Sequence, residues 1–279
     1  MRSTRALRPL FALTTLLLPL GSLQAQRYWH DDRDGDALRL DVSYPFLKGG
    51  NYKFPTFALV PSASIRAAEG IRVEADFPLM RAAYDFGGTT GSQTSLRVGN
   101  PYLGFRIGDD AKPISGSLGA RVPLGENPKD LIGQRAILAG TSSSFDDYEA
   151  FQPNTVLVRA ALEGRWGGSR HFLGAKLGGS IVVPTSGNPL TETVKYIDYG
   201  GRGGIDSGGL EASIALTGRL VSQSVSGSGF SARTHHAATG AVALTKGMVR
   251  PRLSLRVPFD KDLRDVAGAV LGAGVTVIP

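Results

Sequence analysis

The chain has 279 residues, of which 20% are charged, and it contains no cysteine. This composition excludes disulfides, thiolate chemistry, cysteine-ligated metals and lipid attachment through an N-terminal cysteine. The formal net charge is +7, but three arginines lie in the first 25 residues, and the 28 basic and 24 acidic residues beyond them leave a net +4. Because so small an excess gives weak support for nucleic-acid binding, we predict no nucleic-acid partner.

The first 25 residues have the three parts of a secretory signal. Three arginines precede an apolar core, Leu10–Leu20, and a short segment of mostly small residues ends at Ala25. The core is too short to span a bilayer stably, which favours a cleaved signal over the alternative of an uncleaved anchor. We therefore predict cleavage near Ala25, an acidic N-terminal tail at 26–36 and one β domain at 37–279.

From residue 38 onwards, apolar and polar residues alternate in a regular series of segments. In the first segment, Leu38, Leu40 and Val42 alternate with Arg39 and Asp41. Most segments span ten to fifteen residues, which exceeds the usual globular strand of about 5–6 and suits a tilted membrane-spanning strand of about 9–11. The segments lie at 38–46, 55–66, 71–79, 93–107, 114–124, 156–166, 170–184, 208–222, 231–245, 249–259 and 265–278.

Prolines at strand ends predict a twelfth strand and the topology. Proline cannot donate to a strand ladder and is confined to edges, bulges and strand ends. Bacterial barrels usually have an even number of strands. A further strand at 190–199 makes the number even and brings all five prolines to one rim, together with the long connection 125–153. The fold predicted is a single antiparallel up-and-down transmembrane β-barrel of about 12 strands; the prolines are Pro45, Pro78, Pro123, Pro184 and Pro258.

Alternation alone does not separate a barrel from a soluble sandwich, because both have one apolar and one polar face. The barrel is favoured by the long strands, by charged residues in mid-strand, and by aromatic residues such as Phe46, Trp166 and Phe259 at segment ends. We therefore predict localisation in the bacterial outer membrane, with its lipid as partner. A secreted or periplasmic β-sandwich is the lesser alternative.

One stretch carries a family resemblance. The sequence from Gly99 to Arg106, Gly-Asn-Pro-Tyr-Leu-Gly-Phe-Arg, resembles a G-(D/N)-P-Y-L-G-x-R strand of the meta-pathway phenol-degradation-like family of outer-membrane barrels. Residues 122–125 and 183–187 are similar to that family's strand-ending (L/V)-P-(T/L)-G elements. The resemblance implies an outer-membrane barrel that passes small, hydrophobic or aromatic molecules.

The same stretch has a physical interpretation. Leu96 and Val98 define the outward face before it, and Leu103 and Phe105 define the outward face after it. These pairs differ in parity, so one residue has to be absorbed at 99–101, as in a β-bulge. The bulge either bends the wall or directs a functional side chain inward.

The polar face of the strands is the candidate functional site. Rings of charge in a pore set selectivity, and an excess of arginine favours anions. The alternative is that neighbouring strands pair these charges into ladders that hold the wall together. The candidate pore-lining residues are Arg39, Asp41, Arg72, Glu74, Asp76, Arg97, Arg106, Arg121, Arg159, Glu163, Arg165, Glu211, Arg219, Arg250, Arg252 and Arg256.

Catalytic and metal sites are poorly supported. Thr234 and the pair His235-His236 imitate part of a hydrolase site, but no carboxylate with an orienting role lies nearby in sequence. The acidic residues 32–36 have the spacing of a calcium loop, but its twelfth position is Ser43 rather than glutamate. We predict no enzyme, metal or cofactor, and a solvated tail.

Two functions remain. One is a passive channel for small solutes, either hydrophobic and aromatic or anionic. The other is a non-transport structural or surface barrel with a lumen filled by its own side chains. The discriminating feature is whether 125–153 folds into the pore. The solute and the oligomeric state stay open.

Overall fold

The computed structural model describes residues 36–108, 113–168, 170–185, 192–222 and 234–279. The predicted signal, and the tail up to residue 35, lie outside the described residues. Within the described ranges, no helix is long and apolar enough to cross a membrane.

The described chain forms one antiparallel sheet of 14 strands. The strands are β1 Ala37–Leu47, β2 Tyr52–Ala68, β3 Ile71–Asp76, β4 Leu79–Asp85, β5 Ser92–Val98, β6 Tyr102–Ile107, β7 Ile114–Arg121, β8 Thr155–Gly167, β9 His171–Pro184, β10 Val194–Asp206, β11 Leu210–Val221, β12 Thr234–Leu244, β13 Val249–Pro258 and β14 Ala267–Val277.

The sheet closes because β1 pairs with both β2 and β14. The closed ring contains twelve strands, while β4 and β5 continue β3 and β6 beyond it and pair with β2 and with each other. This closed antiparallel 12-strand barrel confirms the predicted fold class and excludes the sandwich. The strand inferred at 190–199 is present as β10, but its described part begins at Val194 and extends to Asp206. Its alternation is weak because Lys195 is exposed on the outer face and Tyr196 is buried on the inner face, and because four glycines follow at 200–204.

The two faces of the wall have opposite chemistry. In β9, Leu173, Leu177 and Ile181 are exposed on the outer face, whereas Lys176 and Ser180 are buried on the inner face. Apolar residues outside and polar residues inside are the pattern of a barrel that sits in lipid. Exposed aromatic rings occur at both ends of the wall, at Phe46, Phe77 and Phe259 on one rim and at Trp166 on the other.

The long connection 125–153 folds into the mouth of the barrel, and we call it the plug. It contains helix α1, Leu131–Ser143, and a 3₁₀ turn at Tyr148–Ala150. The Asp130 side chain caps α1 by accepting a hydrogen bond from the backbone N–H of Gly133 at 2.9 Å. A second short helix, α2 Lys261–Val266, lies at the same rim.

An apolar cluster joins the plug to the wall. Ile132, Ala136 and Phe151 of the plug pack with Ala58 and Met80 of β2 and β4, and all five are buried. Phe145 packs separately against Ala267 and Val270 of β14. Both apolar contacts therefore lie on one side of the mouth, because β2 and β14 each pair with β1.

Candidate functional site in the barrel lumen

The bulge predicted at 99–101 is present. Leu79 pairs with Val98, and Asp76 pairs with Tyr102. The chain therefore advances three residues from Asp76 to Leu79 but four residues from Val98 to Tyr102. The extra residue is absorbed between β5 and β6, which confirms the parity argument. Asn100, at the centre of this bulge, is fully buried.

Asn100 holds both ends of the plug. Its Nδ2 donates to the backbone oxygens of Glu149 at 2.9 Å and Gln152 at 2.6 Å. Its Oδ1 accepts from the backbone N–H groups of Leu124 at 3.2 Å and Gly125 at 3.0 Å. Gly99 allows the close approach, because a Cβ there would lie 2.1 Å from the carbonyl oxygen of Ala150. The bulge thus directs a side chain at the plug.

Replacing Asn100 by alanine is expected to loosen the plug and to leave the wall folded. The buried backbone groups of both plug ends lose their partners, at a cost of about 1–3 kcal/mol. Hydrogen exchange and protease cleavage within 126–151 should therefore become faster. The control is Asn51→Ala, at an exposed loop residue whose backbone oxygen, not its side chain, accepts from Asp85. Equal protection of the plug in both variants would contradict this role.

Acidic residues of the plug meet arginines of the wall. Asp147 pairs with Arg121 and, at 3.1 Å, with Arg159 Nη1. Asp146 accepts from Arg256 Nη1 at 2.8 Å and from its Nη2 at 3.2 Å. Glu149 is the third acidic residue of the plug in such a contact, and its Oε1 lies 2.8 Å from Nη1 of Arg219. These four arginines come from β7, β8, β11 and β13, so the plug is held from around the ring.

The ion pairs are buried as well as close. Side chains of Arg121, Arg219 and Arg256 are each only 1% exposed, and Glu149 is fully buried. Burying charges costs free energy that only close partners offset, so removing one partner is more harmful than removing a surface ion pair. Arg219 has additional contacts, with its Cζ 4.2 Å from the ring centroid of Tyr196 and its Nε 2.9 Å from Asp198.

Two tyrosines close one side of this layer. The hydroxyl oxygens of Tyr148 in the plug and Tyr196 in β10 are 2.5 Å apart. Burial, with Glu149 next to it, raises the pKa of Tyr148, so its phenol stays protonated and can hydrogen-bond. The plug is therefore joined to the wall by neutral as well as charged groups.

A second network runs along one side of the lumen below the plug, on β3, β6, β8 and β9. Lys176 Nζ donates to Glu163 at 2.8 Å, and Arg106 bridges Glu163 at 2.9 Å and Glu74 at 3.0 Å. A cavity of about 80 Å³ lies between this network and the plug. Such a polar space has room for a few waters or a small ion. Nearer the opposite rim, Arg202 and Arg165 approach Glu211, with Arg165 at 3.9 Å.

The structure brings fourteen of the sixteen candidate residues to the inner face of the ring. Seven line the cavity, namely Arg39, Glu74, Asp76, Arg106, Arg121, Arg159 and Glu163. Four more join the ion-pair networks described above: Arg165, Glu211, Arg219 and Arg256. The remaining three lie on inward positions of their strands: Asp41, Arg72 and Arg252.

The other two candidates lie at opposite ends of the wall. Arg97 is in the extension β5, where its Nη2 donates to the carbonyl oxygen of Glu126 at 2.9 Å. Arg250 is near the start of β13, where its Nε donates to the carbonyl oxygen of Gly247 at 3.0 Å. Both of these hydrogen bonds go to backbone oxygens at the rims. Arg97 lies outside the closed ring because β5 continues above that ring.

Several residues of the site were not among the candidates. Asp146, Asp147 and Glu149 lie in a connection that has no strand pattern, although three acidic residues close together near an arginine-rich face are a usable signal. Lys176 and Asp198 lie in glycine-rich strands with weak alternation. Asn100 was within the resemblance motif, but its role depends on contacts with residues 24 to 55 positions away.

A closed wall with an apolar exterior and a charged, plugged interior defines an outer-membrane β-barrel. No protein-family model and no curated protein sequence matches the chain. Among solved structures, the chain is similar to the translocator domain of the autotransporter NalP from Neisseria meningitidis, with a TM-score of 0.51 and 11% identity over 98% of this chain and 95% of that chain.

The chain is also similar to LpxR from Salmonella typhimurium, with a TM-score of 0.50 and 11% identity over 87% of this chain and all of that chain. At such identities the similarity shows the fold alone, which is that of bacterial outer-membrane proteins. The CymD monoaromatic hydrocarbon channel matches with a TM-score of 0.42, which is too low to carry an argument. The family resemblance is confirmed as far as this class of barrel.

Proposed function

We propose that the protein is a gated outer-membrane channel for small anionic solutes, and that the plug is its gate. The observation that carries the proposal is the set of ion pairs between the plug and the wall. An anionic solute that enters the mouth offers the wall arginines the same kind of partner that the plug carboxylates supply. The solute can therefore replace the plug without leaving buried arginines uncompensated.

The charge balance after plug displacement supports anion passage. Four wall arginines pair with plug carboxylates, and the wall carboxylates that pair with these arginines are Asp76 and Asp198. Without the plug carboxylates, these six groups carry a net charge of +2. Rings of positive charge in a pore favour anions. The resemblance implies hydrophobic or aromatic solutes, but the charged lining favours the anionic class or aromatic molecules that carry an acidic group.

The gate is tested by neutralising the plug without changing its shape. The triple variant Asp146→Asn, Asp147→Asn and Glu149→Gln is expected to open far more often than the unmodified protein in planar bilayers. Its reversal potential should favour anions, with the preference declining at high salt as the charges are screened. Asp265→Asn is the matched control, because Asp265 is exposed and pairs with Lys261 on α2.

The alternative is a structural barrel that stays closed, and the filled lumen favours it. The plug packs through an apolar cluster as well as through charge, and two polar networks line the wall beneath it. The same recordings distinguish the two functions. The channel function would be rejected if the triple variant conducts no more than the control and a second variant also shows no more conductance. In this second variant, a short Gly/Ser linker replaces 127–152.

A further inference from the structure

Three serine hydroxyls line the cavity between the plug and the second network. They belong to Ser62 and Ser64 of β2 and to Ser117 of β7. Ser64 is only 1% exposed, and its Oγ has no hydrogen-bond partner among the described residues. Because a buried hydroxyl without a partner is costly, we expect the cavity to hold a molecule or ion that bonds to this group.

The closed lumen carries more basic than acidic groups, even with the plug in place. The fourteen candidate residues on the inner face comprise nine arginines and five carboxylates. Among the other described residues of the inner wall, Lys176 and Arg202 add two positive charges and Asp198 adds one negative charge. The three acidic residues of the plug bring the carboxylates to nine. With the charged residues of the two rims left out, eleven basic groups against nine carboxylates leave a net charge of +2.

The excess of positive charge lies around and below the cavity, not at the plug. The four arginines at the plug face five carboxylates, three of the plug and two of the wall. Seven basic groups and four carboxylates therefore remain for the rest of the lumen. Of these seven, Arg39 lines the cavity and lies directly opposite Ser62 in the pairing of β1 with β2. Arg106 also lines it and lies opposite Ser117 in the pairing of β6 with β7.

The carboxylates that line the cavity are already paired. They are Glu74, Asp76, Asp147 and Glu163, and each has a basic nitrogen 2.8 to 3.1 Å away. A cation in the cavity would add to the net charge of the lumen, and water would leave that charge uncompensated. Buried charges are tolerated only with compensating partners. The charge balance therefore selects an anion.

We propose that the cavity of the closed barrel binds one divalent oxyanion of the size of sulfate or hydrogen phosphate. Its two negative charges match the net charge of the lumen. The cavity, at about 80 Å³, exceeds the share of about 30 Å³ that one water takes in the liquid, so it suits an ion with four oxygens better than a water-sized ion. These oxygens accept hydrogen bonds from the Ser64 hydroxyl and from the guanidinium of Arg39, a group that recognises oxyanions well.

The test is equilibrium dialysis of radiolabelled sulfate against the full-length protein, refolded in nonionic detergent with sulfate present so that the closed plug does not limit entry. The unmodified barrel is expected to retain one sulfate. Ser64→Ala removes the hydroxyl and is expected to weaken binding about ten-fold, which corresponds to about 1.4 kcal/mol. Ser43→Ala is the matched control, because Ser43 is also a buried serine on the inner face but lies further towards the plug rim in β1.

The charge match is tested with Arg39→Gln, which lowers the net charge of the lumen to +1. This variant is expected to bind sulfate more than ten-fold more weakly than the unmodified protein. Arg66→Gln makes the same change of charge at an exposed residue of the opposite rim and should bind sulfate normally. Chloride at equal ionic strength is expected to compete far less well than unlabelled sulfate.

The proposal is overturned if the unmodified protein retains no sulfate, which would leave only water in the cavity. It is also overturned if each variant binds as its control does, or if chloride competes as well as sulfate. Heat-modifiable migration on gels verifies that each variant is folded. Because no conductance is measured, a silent barrel that binds sulfate would reject the gate and keep this site.

Discussion

Replacing Arg121 by leucine is expected to lower the free energy of unfolding by about 3–5 kcal/mol, the usual cost of breaking a buried ion pair by removing one partner. Arg121 Nη1 donates to Asp76 at 2.9 Å and to the carbonyl oxygen of Asn100 at 2.8 Å, and its Nη2 pairs with Asp147. The substitution removes one charge partner from each of two buried carboxylates, Asp76 in the wall and Asp147 in the plug. Urea unfolding in lipid vesicles, followed by the heat-modifiable gel shift, measures the change.

The control for Arg121 is Arg264→Leu, because Arg264 is exposed on α2. Surface substitutions of this kind usually change stability by less than about 0.5 kcal/mol. Arg121→Lys should fall between the two, since lysine keeps the charge but not the planar fork that contacts several acceptors. If Arg121→Leu and Arg264→Leu unfold at the same urea concentration, the buried network does not stabilise the barrel.

Placing an arginine at Leu177 is expected to cost about 2–4 kcal/mol, the usual penalty for arginine on a barrel face at the bilayer midplane. Leu177 lies at the middle of β9 and its side chain is 61% exposed on the outer face. The matched control is Leu210→Arg, at the first residue of β11 and also exposed. Near the interface the penalty falls to about 0–1 kcal/mol.

The comparison between these two leucine variants tests depth rather than chemistry. Both introduce the same side chain on the same face, so a difference in their unfolding free energies reports where each position lies in the bilayer. Equal penalties at Leu177 and Leu210 would show that the span of the wall in the membrane is assigned wrongly.

The strands of the wall could be predicted from the sequence because each residue on the outer face has to be apolar to contact lipid. This requirement does not depend on a residue far away in the sequence. Leu253 and Leu255 identify the outer face of β13 without information from any other strand. The bulge at Asn100 was predictable for the same reason, since the outward residues before and after it change parity. In β10, glycines replace large apolar residues at the outward positions Gly201 and Gly203, so the alternation of apolar and polar residues is weak. Only the expectation of an even number of strands indicated a strand there.

The plug could not be predicted in the same way. Its key contacts join residues far apart in the sequence, such as Asp146 and Arg256, which are 110 positions apart. Helix α1 has few large apolar residues and buries mainly small ones, including Gly133, Ala136, Ala139 and Gly140. A connection of this composition is equally suited to standing in solvent. The inward position follows only once the arginines of four separate strands are brought around one mouth.

The attachment at Asn100 has a consequence for how fast the mouth recloses. Because one side chain holds the polypeptide where the plug begins and where it ends, residues 126–151 form a loop whose two ends stay together when the middle leaves the lumen. A tethered segment experiences its own binding site at a high effective concentration. Rebinding is therefore intramolecular and independent of protein concentration, and it competes directly with any solute for the arginines. For the proposed channel we therefore expect a solute below that effective concentration to pass in brief openings rather than by holding the mouth open.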